Sequence, residues 1–152
     1  PEIILAGRKI NDNMGYFIAE NTIAQLAKIG RSTSNSKIAI LGLTFKEDCP
    51  DMRNTKVTTI IDFLLKFKCS LTISDQYAND EEVIKKFGIE LSDINDIRDQ
   101  DAIIVAVGHK SYKDLTMQEW NKMLAPKGLV VDVKSLFDSS LFRNSKIHYW
   151  SL

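Results

Sequence analysis

After Ser36 the chain alternates short, continuously apolar runs with amphipathic segments, and this alternation restricts the fold more than any other feature. The strongest runs are KIAILG (Lys37 to Gly42), SLTISD (Ser70 to Asp75), AIIVAVG (Ala102 to Gly108) and LVVDV (Leu129 to Val133). A weak run, IEL (Ile89 to Leu91), and a last one, IHYW (Ile147 to Trp150), complete the set. Between them the apolar spacing turns helical. From about Thr55 to Phe67, the residues Val57, Ile60, Ile61, Leu64 and Leu65 fall at i, i+3, i+4, i+7 and i+8, so one side packs on a sheet. Shorter helices are expected near Glu81 to Phe87 and over Met117 to Leu124. Strands without polar alternation must be covered on both faces, which predicts an α/β fold: a Rossmann-like parallel sheet flanked by helices.

The first residues follow a different rule. From Ile10 to Ile29 the apolar residues Ile10, Met14, Phe17, Ile18, Ile23, Leu26 and Ala27 recur mostly at three- and four-residue steps, the spacing of one helical face. Gly30 stops this helix, and RSTSNS (Arg31 to Ser36) is a polar connector of cap- and turn-forming residues. Residues 1–35 are therefore expected to be an amphipathic helix with its linker, and residues 36–152 an α/β domain. The apolar stripe needs cover, from that domain or from a second copy in a homodimer. The 152 residues allow one such domain and an appendage, not two nucleotide-binding domains. A chain starting with proline rather than methionine is expected to be cut from something longer.

Charge and composition exclude several classes. The 20 basic and 20 acidic residues balance, so no broad surface for nucleic acid or an anionic membrane is expected. Cys49 and Cys69 form no C-x-x-C pair, and with only His109 and His148 there is no zinc-type ligand spacing. A reduced, cytoplasmic setting fits this cysteine usage. No apolar run has the length of a membrane span, and PEIILAGRK lacks the order of a signal peptide.

In an open parallel sheet, ligands bind beyond the carboxyl ends of the strands, so the residues after each run are the candidates. These are Thr44 to Arg53, Asp75 to Tyr77, Gly108 to Tyr112 and Asp132 to Ser135. Lys46, Arg53, Lys110 and Lys134 could meet phosphate there, and Phe45, Tyr77 or Tyr112 could stack on a base. The segment GLTFKEDCPDMRNT holds one glycine where a dinucleotide fingerprint needs three, which implies side-chain contacts to a ligand held farther from the backbone. Asp75 imitates the acid that binds ribose after a second strand. A blander alternative is a solvated loop in which Lys46 and Arg53 pair with Glu47, Asp48 and Asp51. Cys49 and Cys69 read as packed residues rather than nucleophiles, and His109 either touches ligand or is structural.

Three ordered motifs carry a resemblance: ILAGRKIND (Ile4 to Asp12), KIAILGLTFKEDCPDMRNT (Lys37 to Thr55) and VVDVKSLF (Val130 to Phe137). Together they resemble the carboxyl-terminal part of the UDP-glucose/GDP-mannose dehydrogenase family, with details most similar to its UDP-N-acetylhexosamine 6-dehydrogenases. The resemblance implies a UDP-sugar-binding domain preceded by part of a dimer-forming helix, in an enzyme that oxidises the sugar C6 alcohol to a carboxylate with NAD. NAD and the catalytic cysteine are expected in segments outside this chain, so the fragment alone should be inactive and holds no catalytic residue. Phe45 and Lys46 match the family's substrate-contacting pair, and Arg53 matches an arginine that reaches NAD held by another domain. Lys134 stands where many relatives place a substrate-binding arginine. Asn11 and Asp12 match a motif on the dimer helix. The competing expectation from another class is a nucleotide-sensing or oligomerisation module of the same fold without catalysis.

Overall fold

The computed structural model describes residues 2–152; the side chains of residues 2–9 and of Asn11, and so most of the ILAGRKIND motif, lie outside the described residues. The elements run α1 (Glu2–Lys28), β1 (Lys37–Leu41), α2 (Thr55–Lys66), β2 (Ser70–Ser74), α3 (Asp80–Phe87), β3 (Gln100–Val105), α4 (Lys110–Lys113), α5 (Met117–Met123), β4 (Leu124–Asp132), α6 (Ser140–Arg143) and β5 (His148–Ser151). The strands form one parallel sheet in the order β2-β1-β3-β4-β5. The chain leaves β1 toward β2 and then crosses over to β3, so the order reverses between β1 and β3.

The expected double cover is present. One face of the sheet, through Ile38, Ile40, Ile104 and Val131, packs with Val57, Ile60, Ile61 and Leu64 of α2 and with Ile18 and Leu26 of α1. The other face, through Ala39, Leu41, Ile103 and Val105, packs with Trp120, Met123 and Phe142. Each side is anchored by side chains that are fully or almost fully buried, at roughly 1.5–3 kcal/mol of transfer free energy apiece.

Three expectations need correction. IEL is not a strand: only Leu91 pairs, as an isolated bridge to Ile73. The fourth strand begins at Leu124 rather than Leu129: Leu124 pairs with Gln100, and the ladder resumes at Leu129 after a register shift, with Lys127 at φ +59° in the irregular stretch between. The stripe read on the first helix divides. Ile18 and Leu26 are buried, whereas Ile10 is 65% exposed, Phe17 47%, and Ala27 also faces solvent. Small residues shape the inward face instead: Gly15, Ala19 and Thr22 are buried there. A Cβ on Gly15 would lie 2.7 Å from the Lys56 carbonyl oxygen and 2.8 Å from Thr59 Cβ, so this glycine sets how closely α1 approaches α2.

Among the described residues no helix is long and apolar enough to cross a membrane, and no cluster of three or more potential metal ligands occurs.

Candidate functional site

The point where strand order reverses is filled by protein. Asp75, at the carboxyl end of β2, is buried and accepts the N–H groups of Leu43 (2.6 Å), Thr44 (3.1 Å) and Tyr77 (2.8 Å). The fully buried His109 donates from Nε2 to the same carboxylate at 2.9 Å. Its Nδ1 accepts the Asp48 N–H at 2.9 Å, which assigns the neutral tautomer with the proton on Nε2. Tyr77 and Tyr112 lie against the imidazole, with ring centroids 4.8 and 5.2 Å away. Burial pushes the Asp75 carboxyl up, but the hydrogen bonds from His109, Leu43 and Tyr77 outweigh it and hold the group below its ordinary value. Burial, followed by the Asp75 charge, raises the Tyr112 hydroxyl.

This arrangement corrects the sequence-based expectation for Asp75. Its lone pairs serve the backbone and His109, and the neighbouring Tyr112 ring is 3% exposed with its hydroxyl directed to the Ser74 carbonyl. Of the two expectations for His109, the structural one holds. Gly42 is not a phosphate cradle either: at φ +96° it lies against Val107, and an added Cβ would sit 2.6 Å from Val107 Cβ. Without a glycine turn or a free acid, the residues here do not fit NAD as this domain's own cofactor.

The loop after β1 is tied down along its length. Phe45 N–H donates to the Asp51 carbonyl at 2.6 Å, Lys110 N–H donates to the Asp48 carboxylate at 3.1 Å, and Asn54 Nδ2 donates to the Thr44 carbonyl at 2.8 Å. The Asn54 side-chain oxygen also caps α2 by accepting Val57 N–H. With its ends and middle fixed, the loop pushes the Phe45 ring outward, 53% exposed, at the mouth of a cleft of ≈ 220 Å³. Arg53, Asn54, Thr55, Lys56 and Lys134 line the rest of it. The structure thus brings together Phe45, Arg53 and Lys134. Lys46 is exposed on the adjoining loop and does not line the cleft.

Charge distinguishes this cleft from its neighbour. Arg53 is held by Asp51 through Nε and a terminal nitrogen, at 2.7 Å for the closest contact, and this hydrogen bond holds the Asp51 carboxyl down to about 2. The pairing that the blander alternative expects within the loop is therefore present for Arg53. Lys46, Lys56 and Lys134 have no carboxylate within ion-pair distance among the described residues. The first amides of α2, at Thr55 and Lys56, precede any intrahelical acceptor and add partial positive charge to the same cleft. A second crevice, ≈ 410 Å³, opens beyond β2 and β3, lined by Asp75, Asp93 and Glu119 among neutral residues and by no lysine or arginine. Although larger, it has the wrong sign for an anion. The smaller cleft carries the positive charge.

Lys134 reaches this cleft because Asp132 shapes the turn that follows β4. The buried Asp132 carboxylate accepts the N–H groups of Leu136 (3.0 Å) and Phe137 (2.9 Å) and the Tyr149 hydroxyl (2.6 Å). The aspartate of the late motif is thus a structural brace, and the lysine is the presented group. Lys56 was not singled out by sequence; its one signal was a place two residues into a helix that opens on the ligand edge. Cys69 is buried, which raises its thiol, and Cys49 is partly exposed on the loop.

Residues 39–139 match the model of the UDP-glucose/GDP-mannose dehydrogenase family, UDP binding domain. The chain is 41% identical over 139 residues to Protein CapL of Staphylococcus aureus, covering 91% of this chain and 32% of that protein. It is likewise 41% identical over 135 residues to the UDP-N-acetyl-D-glucosamine 6-dehydrogenase of Salmonella typhi, covering 88% of this chain and 32% of that one. Among solved structures, the NDP-N-acetyl-D-galactosaminuronic acid dehydrogenase of Methanosarcina mazei Go1 superposes with a TM-score of 0.84 at 28% identity, over 97% of this chain and 30% of the other. The chain therefore spans about a third of the length of the curated relatives it matches.

Proposed function

The chain belongs to the UDP-glucose/GDP-mannose dehydrogenase family, and from that premise we propose that it is the UDP-sugar-binding part of an NAD-dependent UDP-N-acetylhexosamine 6-dehydrogenase. In this reading the cleft holds the nucleotide, Phe45 and Lys46 contact the UDP-sugar, and Lys134 supplies a further charge-assisted hydrogen bond. Lysine in place of arginine keeps that charge without a planar fork, so the contact is a single point rather than bidentate. Arg53 turns from Asp51 toward NAD presented by a separate domain. There the sugar C6 alcohol would be oxidised to a carboxylate in two steps, two NAD+ each taking one hydride and water supplying the second oxygen, and this chain contributes binding and orientation only. It is inactive alone. The setting is cytoplasmic, and α1, with Ile10, Tyr16 and Phe17 exposed, forms a homodimer.

One observation carries the proposal: the cleft beyond the carboxyl ends of the strands gathers two lysines, with no carboxylate partner among the described residues, beside an exposed aromatic ring, while the neighbouring crevice is acidic. Isothermal titration of the chain with UDP tests it. Saturable binding is expected, about tenfold weaker in Lys134→Ala, as loss of one charge-assisted hydrogen bond predicts. No heat with wild-type chain at millimolar UDP would overturn it.

A further inference from the structure

Lys56 lies half-buried in the wall of the cleft, and Lys134 lines the same cleft. Two like charges lining one cleft repel unless something of opposite sign lies between them. Among the described residues no carboxylate lies within ion-pair distance of either lysine. Asp51, on the same loop, is taken by Arg53. Asp132, below Lys134, is committed to Leu136, Phe137 and Tyr149. Asp12, on the facing helix α1, accepts the Thr59 hydroxyl at 3.4 Å. The remaining positive neighbour, Arg53, adds to the excess charge when it leaves Asp51.

We propose that Lys56 and Lys134 form a paired clamp for the diphosphate of the nucleotide ligand, with Lys56 as a binding residue in its own right. The proposal rests on the nucleotide reading of the cleft and adds to it a residue and a group. A monoanion satisfies one ammonium and leaves the other uncompensated. A diphosphate carries neighbouring negative charges on a short, rigid bridge and serves both. UDP-sugar and NAD each contain a diphosphate, so the chemistry is shared and the source is a matter for experiment.

The clamp has a proton signature. Burial, and then the Lys134 charge, lower the affinity of Lys56 for its proton below the ordinary lysine value of 10.5. A bound diphosphate reverses that repulsion and raises the affinity again. Between the two values the complex holds more protons than the free chain, so binding takes up protons just below the ordinary lysine range.

Titration with UDP at about pH 9, in buffers of differing ionisation enthalpy, reads affinity and proton uptake together. Wild-type chain is expected to take up a fraction of a proton. Lys56→Gln is expected to bind about tenfold more weakly without uptake, and Lys56→Arg to stay within about threefold, also without uptake, because arginine never gives up its proton. Circular dichroism establishes that each variant is folded; should Lys56→Gln not fold, Lys56→Arg decides through the loss of uptake alone. A Lys56→Gln chain that binds UDP and ADP-ribose as wild type does, with unchanged uptake, would overturn the clamp while leaving the UDP site in place. Weakening toward ADP-ribose but not UDP would support the clamp and assign it to NAD. If wild-type chain fails to bind UDP, the nucleotide reading falls, and inorganic pyrophosphate decides the clamp: weaker binding by Lys56→Gln supports it, and no binding or no difference overturns it.

Discussion

Replacing Asp75 with alanine should destabilise the whole domain, because the carboxylate is a buried acceptor for four donors at once. The substitution leaves the amides of Leu43, Thr44 and Tyr77 and the Nε2–H of His109 without their partner. At the low end of about 1 kcal/mol for each buried donor left unsatisfied, the loss is about 4 kcal/mol, a large part of the roughly 5–15 kcal/mol expected for a domain. Asparagine keeps one accepting oxygen but turns an amide nitrogen toward a donor and removes the charge, so about half that loss is expected. Urea unfolding followed by circular dichroism measures both. The alanine variant should shift the midpoint down by about 2 M with an unchanged slope, taking a slope near 2 kcal/mol/M. The wild-type contribution also has a pH window. Since the folded-state value lies below the ordinary 3.8, the stabilisation is complete above that value and is lost as pH falls through the folded one. An alanine variant within about 1 kcal/mol of wild type at neutral pH would refute the reasoning.

Other outcomes follow from single positions. Gly42→Ala combines strain at φ +96° with a 2.6 Å approach to Val107 Cβ, and should lower stability by about 3 kcal/mol in thermal or urea unfolding; a neutral effect would contradict it. Gly15→Ala must separate α1 from α2 and should cost about 1–3 kcal/mol in the same assay, whereas an unchanged midpoint would show that the helices are not held at this distance. Wild-type chain should sediment as a dimer at high concentration and Phe17→Glu as a monomer; a wild-type monomer would remove the assembly role given to α1.

How much of this was legible in the sequence depends on what each residue had to meet. The apolar runs at Ile38 to Leu41 and Ala102 to Val105 were readable because a strand covered on both faces cannot alternate with polar residues. IEL was too short for periodicity to decide, and one bridge at Leu91 is all it forms. On α1 the inward face is built partly from Gly15, Ala19 and Thr22, which hydrophobic spacing overlooks, while Ile10 and Phe17 point elsewhere. At the site, position after a strand end selected Phe45, Arg53 and Lys134, which the fold brings to one cleft. The same rule selected Asp75, whose partners come from Leu43 and His109, distant in sequence. Lys56 went unnoticed for the converse reason. A lysine in the first turn of a helix resembles any solvated charge until the turn after β4 brings Lys134 to the same cleft.

The crystal structure of the chain grown with UDP tests the central claim most directly. The account predicts diphosphate density in the cleft of Phe45, Lys56 and Lys134, with Lys46 closing over it. Density instead in the acidic crevice lined by Gln76, Asp93 and Tyr112 would contradict it.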